Sequence, residues 1–196
     1  LSEEDLTQQV WFTRAAISTL AMEEETAKWP TYRLTEPKTP ANRERLLAAA
    51  RSIGDRLEWL AIRGEEDATW IGLNLSNDGF WSLMPLDLDL YNGIPGVALF
   101  LAYLGENLKE ERFTKLAQAA LTTMRSQIER SKNQMTTIGF GGWGGVIYTL
   151  TQLGILWNQS QLLDEADAIV TLLPTPIKKD EQLDIISGSA GCIGGL

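Results

Sequence analysis

A glycine-initiated apolar segment recurs three times in this chain and constrains its fold more than any other feature. The first copy is DLYNGIPGVALFLAYLG at residues 89–105, the second is IGFGGWGGVIYTLTQLG at residues 138–154, and the third is DIISGSAGCIGGL, which begins at residue 184. In each copy two glycines stand three residues apart, and the pairs begin at residues 93, 142 and 188. A nearly constant period of this length is typical of proteins built from repeated helical units.

The segments between the copies have apolar residues at every third or fourth position, which predicts helices with one buried face. The first is predicted to be capped by Asn107, with Glu110 three residues on, and the second covers residues 161–172. A helix that is apolar on every side must be buried on every side, and an amphipathic helix beside it shields it from solvent. We therefore predict an all-α fold, a truncated, partial α/α toroid of inner and outer helix pairs, with the glycine turns gathered at one end.

The part of the chain before the repeats has a different pattern. Residues 2–25 are predicted to form a helix capped by Ser2, and a second helix is predicted to begin with Thr39 as its cap. The stretch near 69–90 contains an Asn-Asp-Gly turn sequence and is predicted to be a short hairpin or an irregular segment. We place N-terminal helices in residues 1–65 and the first part of the toroid in residues 66–196.

Charge and composition exclude several functions. With 17 Lys and Arg against 26 Asp and Glu, the formal net charge is −9, which disfavours nucleic acid and membrane surfaces as partners. The chain has no histidine and a single cysteine, Cys192, so a zinc site of cysteine and histidine ligands cannot be assembled from it alone. The sparse cysteine content and the lack of a targeting segment favour a cytoplasmic location.

Three motifs together resemble a known family. The Trp-rich segment ending PLDLDLYNGIPGVALFLAYLG, the stretch GFGGWGGVIYTLTQLGILW and the sequence DIISGSAG are similar, at this spacing, to the lanthionine synthetase C-like cyclase domain. The opening LSEEDLTQQVWFTRAAISTL resembles the junction in class II lanthipeptide synthetases, where a kinase-like dehydratase precedes the cyclase. The resemblance implies that this chain supplies the N-terminal part of an α/α toroid within a longer protein.

The resemblance also implies an activity and a cofactor. In the family, cysteine thiols of a precursor peptide add to dehydroalanine or dehydrobutyrine and form (methyl)lanthionine thioether rings. The family's zinc, held by two cysteines and a histidine, stabilises the thiolate. Those ligands belong to motifs that this chain lacks and that are expected C-terminal to it, and Cys192 matches neither zinc cysteine. We therefore expect no bound metal here, no activity of the chain alone, and self-association or pairing with the missing part of the domain.

Asp184 is the candidate catalytic residue. In the family an aspartate just before the third glycine pair faces the active-site end of the toroid, and Asp184 matches its position. The implied role is to position or exchange a proton during the addition, or to orient a metal ligand. Asp89 has the same place in the first copy, which favours the alternative that both aspartates brace a turn by accepting backbone hydrogen bonds.

Other interpretations stay open. Residues 139–144 spell the G-x-G-x-x-G of dinucleotide-binding proteins, although no buried strand is predicted before them. An α/α-barrel carbohydrate-active enzyme would use two facing carboxylates, for which Asp89, Asp184 and the acids of residues 74–90 are candidates. A third interpretation is a non-catalytic helical scaffold that binds peptides.

Overall fold

The structure, a computed structural model, describes residues 2–21, 41–75, 79–132 and 134–196. In these ranges the chain is mostly α, as predicted, with only two small antiparallel strand pairs. The helices are α1 (Glu3–Ala21), α2 (Arg43–Leu60), α3 (Ile94–Leu108), α4 (Glu111–Ser131), α5 (Trp143–Trp157), α6 (Ser160–Val170), α7 (Pro174–Ile177) and α8 (Ser189–Gly195). The strands are β1 (Ile62–Arg63), β2 (Ala68–Thr69), β3 (Ile71–Leu75) and β4 (Trp81–Pro85).

The chain divides into two compact units. The first comprises Leu1–Ala49 and Ile71–Pro85, and the second comprises Ala50–Trp70 and Leu86–Leu196. All three glycine pairs lie in the second unit. The domain boundary proposed between residues 65 and 66 stays a prediction.

In the first unit, α1 begins with a reciprocal cap. The Asp5 N–H donates to Ser2 Oγ at 3.0 Å, and the Ser2 N–H donates to Asp5 Oδ2 at 2.8 Å. Hydrogen bonding of the Asp5 carboxylate, first by the Ser2 backbone N–H and then by the Ser2 side chain, lowers the pKa of Asp5 below its ordinary value, because both interactions favour the charged form. The prediction of Ser2 as the cap is confirmed, whereas Thr39 and residues 22–25 lie outside the described part of the chain. The predicted start of the second helix is wrong, because α2 begins at Arg43 and Asn42 Oδ1 accepts the Arg45 N–H at 2.8 Å.

The segment near 69–90 contains a hairpin, one of the two predicted alternatives. Strands β3 and β4 pair antiparallel with Leu73 opposite Leu83. Gly79, just before β4, has a φ of 84°, a conformation in which side chains other than glycine are strained. Residues 76–78 of the turn lie outside the described part of the chain.

In the second unit the repeats form pairs of helices, as the alternation of patterns predicts. Helix α3 packs against α4 and α5 packs against α6, while α5 also contacts α3 and α8. The amphipathic α4 buries one complete face, which consists of Phe113, Leu116, Ala117, Ala120, Leu121, Met124 and Ile128. Burying a large apolar side chain stabilises a fold by about 1.5–3 kcal/mol, so this face carries much of the core.

A repeated turn joins each inner helix to its outer partner. Lys109 after α3 and Asn158 after α5 are both left-handed, with φ of 56° and 52°. A Cβ on Gly154 would lie 2.9 Å from Leu163 Cδ2, so glycine at this point lets the outer helix approach the inner one. The predicted start of the first outer helix is wrong, because Asn107 lies inside α3 and its side-chain amide donates to the Tyr103 carbonyl.

The C-terminal half of α2 contacts helices α3 and α4. Gly54 is buried, and a Cβ at this position would overlap the side chains of Leu104 and Phe113, which would have to shift. The Trp70 indole N–H donates to the Leu57 carbonyl at 2.7 Å. Arg112 of α4 is paired with three carboxylates, Asp55, Glu58 and Glu110, and its pKa is raised, chiefly by the hydrogen bond to Asp55.

Candidate functional site at the glycine turns

The turns that precede the three inner helices are joined by backbone hydrogen bonds. We call residues 87–93, 138–142 and 184–188 the glycine-turn cluster. The Leu90 N–H donates to the Phe140 carbonyl at 3.1 Å, and the Phe140 N–H donates to the Ile185 carbonyl at 3.0 Å. The Gly141 N–H donates to the Ile186 carbonyl at 2.7 Å. The second turn therefore lies between the first and the third, and the predicted gathering of the turns is confirmed.

The second glycine of each pair is required because the turn before each inner helix packs closely against the start of that helix. A Cβ on Gly96, Gly145 or Gly191 would overlap a backbone carbonyl oxygen of the turn that precedes its own helix. The oxygens belong to Leu90, Phe140 and Ile185, respectively. A main-chain atom cannot rotate away as a side chain can, so only glycine fits without moving the turn.

Close contact with neighbouring backbone also explains why residues 139–144 match the G-x-G-x-x-G sequence of dinucleotide-binding proteins. A Cβ on Gly139 would lie 2.5 Å from the Ile186 carbonyl oxygen, and one on Gly144 would lie 3.0 Å from that of Gly191. The N–H of Gly144 already donates to the Ile138 carbonyl at 3.0 Å. A phosphate site needs free N–H groups at a helix start and a preceding strand, and the described residues 134–138 contain no strand.

Asp89 and Asp184 brace their turns in closely related ways. Asp184 Oδ1 accepts the N–H groups of Ser187 at 2.6 Å and Gly188 at 3.2 Å. Asp89 Oδ1 accepts those of Tyr91 at 2.6 Å and Asn92 at 3.0 Å. In each aspartate Oδ2 receives no hydrogen bond from the described residues, and Asp184 is exposed. The turn-bracing geometry is therefore present, and a chemical role of Asp184 stays a prediction.

A third aspartate, Asp180, was missed by the sequence analysis. Its Oδ2 accepts both the N–H of Ser189, at 2.8 Å, and the Ser189 hydroxyl. Its Oδ1 accepts the N–H of Gln182 at 3.0 Å. The bond from the Ser189 hydroxyl, first among these contacts, lowers the pKa of Asp180. Asp180 stands nine residues before Ser189, and no local motif signals a contact over that separation.

Cys192 lies in α8 next to this bridge and is buried. Burial raises the pKa of its thiol, and the negative charge of Asp180 raises it further. A raised pKa keeps the sulfur protonated near neutral pH, and the thiol is a far weaker nucleophile and metal ligand than the thiolate. This environment is the opposite of the one that an activated cysteine requires.

The alkylation rate of Cys192 tests this environment. At pH 8 we expect iodoacetamide to modify the native chain at least about tenfold more slowly than the urea-unfolded chain, because the native thiol is both buried and more strongly protonated. The unfolded chain is the matched control, since it contains the same single cysteine. Equal rates in the two states would contradict the buried, neutral thiol.

The residues of this chain do not supply the cysteine and histidine zinc ligands that the resemblance implies. The sequence has no histidine, and the described residues contain no group of three His, Cys, Asp or Glu side chains arranged to hold a metal ion.

Among the helices that the structure describes, none has the length and apolar character needed to cross a membrane.

The paired helices and the glycine-turn cluster define an α/α repeat protein. A family model, described as lanthionine synthetase C-like protein, matches residues 84–196, which is more than half of the chain and includes all three glycine pairs. The chain belongs to the lanthionine synthetase C-like family, and the resemblance found in its motifs is confirmed. A search of curated proteins gave no match.

Proposed function

We propose that this chain is the N-terminal part of the cyclase domain of a class II lanthipeptide synthetase. In the complete enzyme the domain would act on a dehydrated precursor peptide. The observation that carries the proposal is the family match over the three glycine turns, which the structure packs into one cluster. This match favours the cyclase over an α/α-barrel carbohydrate-active enzyme and over a non-catalytic scaffold.

The proposed reaction is an isomerisation. A cysteine sulfur of the peptide attacks the β-carbon of dehydroalanine or dehydrobutyrine, which forms the carbon–sulfur bond and leaves an enolate. The α-carbon then takes up a proton and the thiol has lost one, so the ring has the same molecular formula as the open peptide. The enzyme must therefore deliver one proton at the α-carbon and accept one from the thiol.

Asp184 is our proposed residue for one of these proton transfers. It lies in the glycine-turn cluster, its Oδ1 is fixed by two N–H groups, and its Oδ2 is free of hydrogen bonds from the described residues. A carboxylate held in one orientation with one oxygen available is suited to move a proton. We place the zinc ligands of the family C-terminal to this chain and the reaction in the cytoplasm, with the precursor peptide as partner.

Thioether formation by the complete enzyme tests the proposal. Cyclisation leaves the peptide mass unchanged and removes a free thiol, so the readout is loss of N-ethylmaleimide labelling from a dehydrated, cysteine-containing peptide. We expect the complete enzyme to abolish labelling and this chain alone to leave it unchanged. Ring closure by the isolated chain, or none by the complete enzyme supplied with zinc, would contradict the proposal.

Self-association of the isolated chain is a further expectation. Ile193 of α8 is 74% exposed and Ile155 of α5 is 65% exposed, and exposed apolar surface of this kind drives association. We propose that the chain forms dimers or larger assemblies unless the rest of its domain covers these residues. Sedimentation velocity at increasing concentration measures this, and Ile193→Lys is expected to shift the chain towards monomer. A wild-type chain that stays monomeric at high concentration would show the expectation to be wrong.

A further inference from the structure

The carboxylate of Asp180 closes the loop that carries Asp184. Its Oδ2 accepts the N–H of Ser189 at 2.8 Å and also the Ser189 hydroxyl. Its Oδ1 accepts the N–H groups of two residues near the start of the loop, Gln182 at 3.0 Å and Leu183 at 3.4 Å. We call residues 180–189 the Asp180 loop. A single side chain therefore binds the backbone on both sides of the candidate catalytic residue.

The start of the third inner helix differs from the other two in the group that accepts its first N–H. In α3 and α5 the acceptor is a backbone carbonyl, with Ile94 donating to Asp87 at 2.8 Å and Trp143 donating to Thr137 at 3.1 Å. In α8 the N–H of the first residue, Ser189, is bound by the Asp180 side chain. A hydrogen bond to a charged acceptor is stronger than one to a neutral carbonyl. The stronger acceptor lies at the turn that carries Asp184.

The backbone just before Asp184 has a conformation that needs support. Leu183 has a φ of 57°, in the left-handed region that side chains other than glycine rarely adopt. Such a conformation persists only when the surrounding contacts hold it. A Cβ on Gly188 would lie 2.4 Å from the Leu183 nitrogen and 2.6 Å from the Asp184 nitrogen, so the loop is folded closely on itself. Because a change of φ at Leu183 redirects the next residue, the place of Asp184 depends on these contacts.

We propose that Asp180 is a positioning residue for ring formation, which holds both ends of the Asp180 loop and so keeps the Asp184 carboxylate where it exchanges a proton. The proposal rests on the proposed function, because that function gives Asp184 its role. Both oxygens of Asp180 accept hydrogen bonds, whereas Oδ2 of Asp184 accepts none from the described residues. Asp180 therefore acts on the rate through Asp184 and transfers no proton itself.

Hydrogen exchange of the full 196-residue chain tests the brace without any chemistry. Asp180→Asn has one acceptor oxygen where aspartate has two, so it can hold only one end of the loop. We expect amide exchange in residues 181–189, measured by mass spectrometry, to become about tenfold faster. Exchange in α4 is expected to stay unchanged. Asp167→Asn removes the same charge from an exposed position of α6 and is the matched control, with no change expected in either segment.

Ring formation by the complete enzyme tests the link to Asp184. We expect Asp180→Asn to lower kcat by about tenfold and to leave KM within about twofold, because the peptide still binds but the carboxylate is displaced. In an enzyme that already carries Asp184→Asn, the same change is expected to alter the rate by less than about twofold, since no proton-transfer group remains to be positioned. A general loss of stability would instead slow both enzymes by equal factors.

Ser189→Ala separates the hold on the loop from the charge of Asp180. It removes the hydroxyl bond, keeps the N–H bond and leaves the Asp180 carboxylate in place. We expect kcat to fall by about threefold in the wild-type enzyme and to stay unchanged in the Asp184→Asn enzyme. Circular dichroism checks folding, and if Asp180→Asn does not fold, Ser189→Ala carries the same comparison.

The outcomes separate this inference from the proposed function. Unchanged exchange of residues 181–189 in folded Asp180→Asn, or its full rate of ring formation, would overturn the positioning role. Equal slowing of the wild-type and Asp184→Asn enzymes would do so too, because Asp180 would then act independently of Asp184, as would a fully active Asp184→Asn enzyme. A wild-type complete enzyme that forms no ring counts against the proposed function, while the exchange experiment still decides whether Asp180 closes the loop.

Discussion

Replacement of Asp184 by asparagine in the complete enzyme is expected to slow thioether formation by about 100-fold, the lower end of what a general acid or base contributes. This variant separates a proton-transfer role of Asp184 from its role in bracing the turn. Asparagine retains an Oδ1 that accepts the N–H groups of Ser187 and Gly188, so the turn keeps its brace. It has no group that exchanges a proton near neutral pH. The measurement is the rate at which a dehydrated peptide loses N-ethylmaleimide labelling.

The matched control is Asp89→Asn. Asp89 braces the first turn through Oδ1 as Asp184 braces the third, so the structural part of the change is the same in both variants. We expect Asp89→Asn to retain activity within about threefold of wild type, an effect too small for a lost proton-transfer group. Equal losses in the two variants would assign Asp184 to the turn alone. Full activity of Asp184→Asn would remove it from the mechanism.

Gly191→Ala is expected to cause the largest loss of stability among the changes considered, with a fall of about 3 kcal/mol in the free energy of unfolding. Its Cβ would overlap the Ile185 carbonyl oxygen and lie 2.9 Å from the Cα of Gly139. Both are main-chain atoms of the glycine-turn cluster, so relief requires the second and third turns to separate. For a chain of this size the corresponding fall in thermal midpoint is about 10 °C.

Gly194→Ala is the control within the same helix. Its Cβ would lie 3.2 Å from an atom of the Phe140 ring, which is a side chain able to shift slightly. Alanine also favours helix over glycine by about 1 kcal/mol. We therefore expect Gly194→Ala to change the thermal midpoint by no more than a few degrees. Equal destabilisation by both substitutions would show that the loss reflects crowding of α8 in general and not contact between the turns.

Local patterns predicted the elements of this fold better than their ends. The hairpin was one of the two alternatives that the turn sequence between two apolar runs predicted, and the capping role of Ser2 followed from its place before α1. Asn107 had the right type and spacing for a helix cap, yet α3 continues past it to Leu108. The turn out of α3 is made by Lys109 in a left-handed conformation, and nothing in a lysine side chain signals that conformation.

The candidate site was only partly accessible from the sequence. The place of Asp184 before a glycine pair was visible, because the pair repeats at a near-constant period. The hydrogen bond from the Ser189 N–H to Asp180 was not visible in the sequence, because the two residues are nine apart and no motif links them. The edge-to-face contacts of Phe140 with Tyr91 and Tyr148 were also invisible, because these residues come from two turns and a helix and share no spacing in the sequence.

The sequence by itself determined the repeat, the helical class and the family, because glycine spacing and apolar periodicity are local properties of the chain. Tertiary structure alone decided which backbone atoms the glycines make room for, which oxygen of each aspartate accepts no hydrogen bond from the described residues, and which aromatic rings meet. Those properties depend on backbone and side-chain atoms from distant segments that meet only when the helix pairs pack, and no local pattern encodes such a meeting.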